Sequence, residues 1–172
     1  KIVYGELIEE SIFSARAIYQ DADGDDYSPD GTYTYTYSGG TLAAGTKLDS
    51  GVYTLTVTFD PTDASLGSNI TGTASLTVEK ATPVVVWNNP PSKKYTYDGS
   101  SGPKLSVEQL SATADVAGEF TYSPAIDTEL SAGLQTVTAI FVPTDIDNYK
   151  SLPQDGDILQ IEFEVLRGDI QI

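Results

Sequence analysis

Two tandem antiparallel β-sandwiches, all-β throughout, are what this 172-residue sequence predicts. Three observations carry that expectation. Apolar and polar residues alternate with period two in several short runs, which suits strands with one buried face. Clusters of Gly, Pro, Asp and Ser separate those runs at the spacing of a sandwich. The first half of the chain also resembles the second, and a repeat fixes the number of units before any strand is assigned.

The first copy, residues 1–80, opens with Ile2-Val3-Tyr4-Gly5 and continues through SARA from Ser14. The run TYTYTY, Thr32 to Tyr37, places Tyr33, Tyr35 and Tyr37 on one strand face and threonines on the other. SGVYTLTVTFDPTD follows from Ser50, with Leu55, Val57 and Phe59 pointing inward and Thr54, Thr56 and Thr58 outward. SLTVEK, from Ser75, closes the copy.

The second copy, residues 81–172, begins in VEKATPVVVW, where Pro83 interrupts any continuous ladder and leaves a short, stiff link. Its matches keep the order of the first: Tyr97-Asp98-Gly99 against Tyr4-Gly5, SATA from Ser111 against SARA, FTYS from Phe120 against YTYS from Tyr35, and AGLQTVTAIFVPTD from Ala132 against the run from Ser50. Val137, Ala139 and Phe141 repeat the inward set, as do Ile161, Phe163 and Val165, with Glu162 and Glu164 outward. KLSVEQLSA, from Lys104, makes one or two helical turns at most.

Composition removes several functions. With 9 Lys+Arg against 25 Asp+Glu the formal charge is -16, which repels nucleic acid and anionic membrane surfaces. No apolar run is long enough to span a bilayer. Having no Cys and no His, the chain has no disulfide, thiol nucleophile, imidazole base or ordinary zinc ligand. Any bound metal takes oxygen ligands, which points to calcium. Glu162 and Glu164 share a strand face, but no neighbour in the sequence tunes them as a catalytic pair. The chain reads as a non-enzyme.

The stretch QDADGDDYSPDG, Gln20 to Gly31, is the candidate metal loop. Asp21, Asp23 and Asp25 stand at positions one, three and five of a calcium-loop spacing, and Asp30 can enter from position ten. Against this, Asp26 stands where such loops need Gly and Thr32 where they need a bidentate acid; the other reading is a solvated acidic turn. Comparison of the copies makes the stretch an insertion. Ala17 to Leu48 is 31 steps and Ala114 to Leu130 is 16, an excess of about fifteen, expected largely in IYQDADGDDYSPDGTY.

Tyr33, Tyr35 and Tyr37 can stack on sugar rings or pack across strands. Trp87, the single tryptophan, is expected in a strand-end core or at a domain contact. Asp63 and Asp145, in the two Pro-Thr-Asp turns, are expected to accept local backbone hydrogen bonds. Arg167-Gly168-Asp169 spells an integrin-recognition tripeptide, which has meaning only on an exposed turn.

The second copy resembles the bacterial immunoglobulin-like repeats of large secreted and cell-surface proteins. The likeness rests on ATP-x-V-x-W from Ala81 to Trp87, Y-x-G at Tyr97, QLSATA from Gln109, G-x-F-x-Y-x-P from Gly118 and F-x-P-T-D-x-x-N-Y ending at Tyr149. The first copy keeps fewer of these elements and lacks the Asn-Tyr pair. The resemblance implies immunoglobulin-like sandwiches of about seven strands, an extracellular or cell-surface location, and a spacer or adhesive role with no catalytic residues.

Two ends depart from the pattern. The first copy has no counterpart of ATPVVVW, and LRGDIQI stands where that strand would begin after the second. An incomplete sandwich exposes an edge that a strand from another chain can complete. Ile170 and Ile172 are the candidate donor, Ile2 and Tyr4 the candidate acceptor, and copies of the chain the partners in a head-to-tail fibre. The plainer reading, which the sequence favours, is a longer array whose missing strand lies upstream. The rival function is an adhesive module that binds a glycan or a surface protein through the inserted loop and the tyrosine row.

Overall fold

The computed structural model describes residues 1–87, 102–154 and 158–166. They form an all-β chain of several mostly antiparallel sheets. It divides into two compact units, Lys1–Ala81 and Thr82–Ile172. Among the described residues no helix is long and apolar enough to cross a membrane.

Unit 1 contains β1 (Ile2–Val3), β2 (Tyr19–Gln20), β3 (Asp26–Tyr27), β4 (Gly31–Tyr37), β5 (Gly40–Thr41), β6 (Gly51–Pro61) and β7 (Ile70–Glu79). Five of these make one sheet in the order β1-β7-β6-β4-β5, and β2 pairs with β3 in a separate two-stranded ribbon. The long strands form because β-branched and aromatic residues alternate with threonine, and each face then has one kind of neighbour. On the inner face Leu55, Leu76 and Val78 are buried beside Ile8, Leu42 and Leu48. Only the first three lie in the sheet. The others belong to connecting segments, held in place by a bridge between Leu7 and Lys47. Each such buried side chain contributes roughly 1.5–3 kcal/mol of apolar transfer, so this irregular cover is as much core as the sheet it covers.

Unit 2 contains β8 (Val85–Val86), β9 (Thr113–Ala114), β10 (Gly118–Ser123), β11 (Gly133–Pro143) and β12 (Gln160–Val165). Its sheet has the order β10-β11-β12, and β8 pairs with β9 in a separate ribbon. Leu105, Leu130, Val137, Ile161, Phe163 and Val165 form the buried cluster, with Trp87, Leu110 and Tyr122 packed against it. The inward sets read from alternation are buried, Val137 at 0% and Phe141 at 1% exposure, while Glu162 and Glu164 face solvent.

The two units share a set of main-chain bonds. Ile8 N donates to Thr46 O at 2.9 Å and Gly45 N to Ile8 O at 2.8 Å; in unit 2 Leu105 N donates to Thr128 O and Asp127 N to Leu105 O, both at 2.9 Å. Gly45 and Asp127 both take positive φ, +83° and +64°, a backbone state that glycine adopts freely and aspartate tolerates. Thr62 N donates to Asp30 O and Thr144 N to Ala117 O, each at 2.9 Å. Gly31 lies opposite Pro61 and Gly118 opposite Pro143. At both glycines a methyl group would run into the ring of the strand phenylalanine, Phe59 or Phe141.

This register corrects the alignment of the aromatic run. Tyr33 lies opposite Phe59 and Phe120 opposite Phe141, so Tyr33 corresponds to Phe120 and Tyr35 to Tyr122, two residues away from the match of YTYS at Tyr35 with FTYS. The excess in unit 1 is also split. Ala17 to Gly31 is 14 steps against 4 from Ala114 to Gly118, and Gly31 to Gly51 is 20 against 15 from Gly118 to Gly133. Ten extra residues therefore form the β2–β3 hairpin and five lengthen the β4–β5 turn region.

Candidate functional site

The acidic stretch is a hairpin tip. Tyr19 pairs with Tyr27 and Gln20 with Asp26, leaving Asp21 to Asp25 as the turn. Asp21 organises it: its Oδ1 accepts from Asp23 N at 3.0 Å and Asp25 N at 2.9 Å, while Asp21 N donates to Asp25 O at 3.0 Å. This is a side chain closing its own turn, the ordinary use of aspartate in a tight loop. Asp26 accepts from Gln20 Nε2 at 3.2 Å, and Asp30 contributes its main-chain carbonyl to Thr62. Among the described residues no three acidic side chains gather closely enough to hold a metal ion.

The tyrosine row faces inward. Tyr33 lies against Phe59 at 4.6 Å between ring centroids, Tyr35 against Phe13 at 4.7 Å, and Tyr37 against Tyr53 at 5.9 Å. The hydroxyls are engaged as well: Tyr33 Oη accepts from Ala17 N at 2.8 Å and Tyr35 Oη from Ala15 N at 3.3 Å. Two tyrosines thereby pin the Ser14–Ala17 segment over the sheet. In unit 2 Tyr122 repeats the Tyr35 contact by meeting the Ala112 main chain, and burial pushes its phenol pKa up. Phe120, having no hydroxyl, cannot repeat the contact of Tyr33.

Ile2 and Tyr4 stand on an edge. Ile2 pairs with Val78 in parallel, Tyr4 N donates to Glu79 O at 2.8 Å, and both side chains pack against the unit 1 core. Lys1 Nζ meets Glu79 Oε1 at 2.7 Å, and that carboxylate raises the lysine pKa. The chain's own amino-terminal residues thus occupy the carboxy-terminal end of the β7 edge. From Ile70 to Thr77, β7 pairs with β6 alone among the described residues. Ile170 and Ile172, like the Arg-Gly-Asp tripeptide and Tyr97, lie outside the described residues.

Trp87 belongs to the core of unit 2. Its ring meets Tyr122 at 5.4 Å, edge to face, and its Nε1 donates to Gln109 O at 2.9 Å. The strand that carries it, β8, pairs Val85 with Ala114 and Val86 with Thr113. The two Pro-Thr-Asp turns are closed by their aspartates: Asp63 Oδ1 accepts from Ser65 N at 2.9 Å and Asp145 Oδ1 from Asn148 N at 3.1 Å. The Ser65 N–H holds the Asp63 carboxyl below its usual range.

One surface escaped the sequence reading. The outer face of the unit 1 sheet carries Thr34–Thr58–Thr71 and Thr36–Thr56–Thr73 as rows across three strands, with Thr41 extending the second row. The equivalent face of unit 2 mixes Thr121 with Ile140, Thr138 with Gln160, and Leu134 with Glu164. Alternation in TYTYTY and TLTVT foretold single threonine faces, but the rows depend on register. No protein-family model matches the chain, and no curated protein matches it at a significant level.

Proposed function

We propose that this chain is a non-enzymatic structural unit of an extracellular filament or cell-surface stalk, built from two immunoglobulin-like sandwiches and joined head to tail to copies of itself or neighbouring repeats by strand donation. The observation that carries this reading is the repeated hydrogen-bond framework, in two units whose strands β7 and β8 are separated by Lys80–Val84 alone. Repeats linked so closely suit linear arrays, in which neighbours stabilise one another and the string supplies reach. The β7 edge of unit 1, which from Ile70 to Thr77 pairs with β6 alone among the described residues, supports the joining step, because an uncovered edge is a template for another strand.

The reading is tested by electron microscopy and sizing chromatography of the chain and of a variant lacking Gly168–Ile172. Concentration-dependent head-to-tail assembly that the deletion abolishes is expected. Equal assembly by both chains would remove strand donation by the tail. An adhesive role, for a glycan or a surface protein, finds its support in the threonine rows, which form an uncharged hydroxyl face on a chain of charge -16. A monomer that binds glycans on an array and never assembles would establish that role instead.

A further inference from the structure

Strand β10 of unit 2 has an open edge along its whole length among the described residues, which the matching strand of unit 1 does not. In the sheet order β10-β11-β12 it has one neighbour, whereas β4 lies between β6 and β5. The far side of β11 shows which groups face the opening. Ala139 N donates to Leu159 O and Phe141 N to Leu152 O, both at 2.8 Å, so these residues direct their amides away from β10. Tyr122 and Phe120, directly opposite them, are therefore the positions that exchange no bonds with β11. Their N–H and C=O groups point outward, and among the described residues no main-chain hydrogen bond engages them.

The cause lies in the connection that follows. In unit 1, Leu42 N donates to Tyr35 O at 2.8 Å, and the Leu42 side chain, 3% exposed, anchors the segment that carries β5. Thr46 N donates to Ala43 O at 3.1 Å and Thr128 N to Ala125 O at 3.2 Å, which makes Ala125 the counterpart of Ala43 and Pro124 that of Leu42. Proline has no N–H to give. Gly118 to Gly133 is also 15 steps against 20 from Gly31 to Gly51, so the residues that form β5 have no counterpart. The strand itself lacks the usual devices that blunt an edge: Gly118 to Ser123 has no bulge, proline or lysine, and its one charge is Glu119.

We propose that β10 is an interface at which two copies of the chain pair edge to edge, antiparallel about a two-fold axis through Thr121, into one continuous sheet. In that register Phe120 of each copy exchanges main-chain bonds with Tyr122 of the other, so every outward N–H meets an outward C=O. The occupant is argued from charge. A chain of net charge -16 repels its own copies over most approaches, yet this register opposes no two acids. Thr121 meets Thr121, and Glu119 meets Ser123, whose hydroxyl no hydrogen bond uses among the described residues. Both are close pairs of the kind in which opposite side chains touch. Glu162 and Glu164 lie opposite Thr136 and Leu134, a part of β11 that β10 does not reach. On the inner side the half-buried rings of Phe120 and Tyr122, stacked at 5.9 Å, meet the same pair from the second copy. This side-by-side contact uses neither the tail nor the β7 edge, so it stands apart from the array role.

The test is sedimentation velocity and nuclear magnetic resonance of the full chain over a concentration series. A weak dimer is expected, with concentration-dependent shifts and slowed amide exchange at Phe120 and Tyr122. Thr121→Glu and Thr121→Lys each set like charges opposite one another on the axis, and each should raise the dimer dissociation constant at least about tenfold. Thr121 is exposed, so neither change disturbs the core. An equimolar mixture of the two variants should restore pairing, because Glu then faces Lys; a folding defect cannot be rescued in this way. The same series on the chain lacking Gly168–Ile172 keeps assembly through the tail out of the readout. A chain that stays monomeric at millimolar concentration, a mixture that pairs no better than either variant alone, or shifts that fall on β7 and spare β10 would each overturn the interface.

Discussion

Tyr35 and Tyr122 occupy the same place in the two units, yet each is covered from a different part of the chain. Phe13, from the connecting segment, lies on Tyr35, and Trp87, from a separate strand, lies on Tyr122. The same sheet framework thus tolerates two kinds of cover. The framework is fixed by main-chain bonds and by the inward residues of the long strands, which must fill the interior at high density. The cover is set by whichever apolar groups the chain brings, and here the units diverge: β8 brings Trp87 to unit 2, while unit 1 uses Phe13 and spends its extra residues on two hairpin turns.

If the framework is equivalent, its central rings should matter equally. Phe59 and Phe141, at 3% and 1% exposure, lie over Gly31 and Gly118. Replacing either by Ala is expected to cost its unit about 3–5 kcal/mol, read by chemical denaturation. A large inequality between the two would break the comparison.

The covers should then differ. Trp87→Ala is expected to destabilise unit 2 by about 3 kcal/mol, the low end for such a loss because the ring is half-buried. Calorimetry should show a shift in the unit 2 transition alone. Since Trp87 is the single tryptophan, its fluorescence in the parent chain assigns that transition.

A finer contrast lies in the hydroxyls. Tyr33→Phe removes the acceptor for Ala17 N and is expected to cost about 1 kcal/mol, with faster exchange of that amide. The matching position in unit 2 is already Phe120, so Phe120→Tyr should stabilise unit 2 only if its hydroxyl reaches Ala114 N. Denaturation of both variants checks this.

The smallest effect concerns pH. Asp63 has its folded pKa lowered by the Ser65 N–H. Its contribution is therefore present above the ordinary carboxylate pKa and is lost as pH falls through the lowered folded value. The carboxylate is exposed, so the change should appear in an Asp63 carboxyl titration by nuclear magnetic resonance rather than as a shift in melting.

Much of this was legible in the sequence, and the failures have physical causes. Leu55, Phe59, Val137 and Phe141 were readable as core because period two leaves no other face for them. The Pro-Thr-Asp turns were readable because the aspartate bonds are local. The aromatic alignment failed because TYTYTY matches itself at a shift of two, and only Phe59 across the sheet selects the register. Tyr33, Tyr35 and Tyr37 were open to a sugar-stacking reading, since which face meets the cover is a non-local fact. Asp21, Asp23 and Asp25 show by spacing that they can converge, but not that the amides of Asp23 and Asp25 both donate to the Asp21 carboxylate, which takes the folded hairpin to see.

The sequence by itself determined the all-β character, the repeat, the strand faces and the turns, because each follows from contacts within a few residues. Tertiary structure decided the rest: the parallel pairing of Ile2–Val3 with β7, the inward direction of the tyrosine row, and the alignment of threonines into rows. These depend on which distant segments meet, and such meetings are governed by register and by the filling of a shared core, which local pattern leaves open.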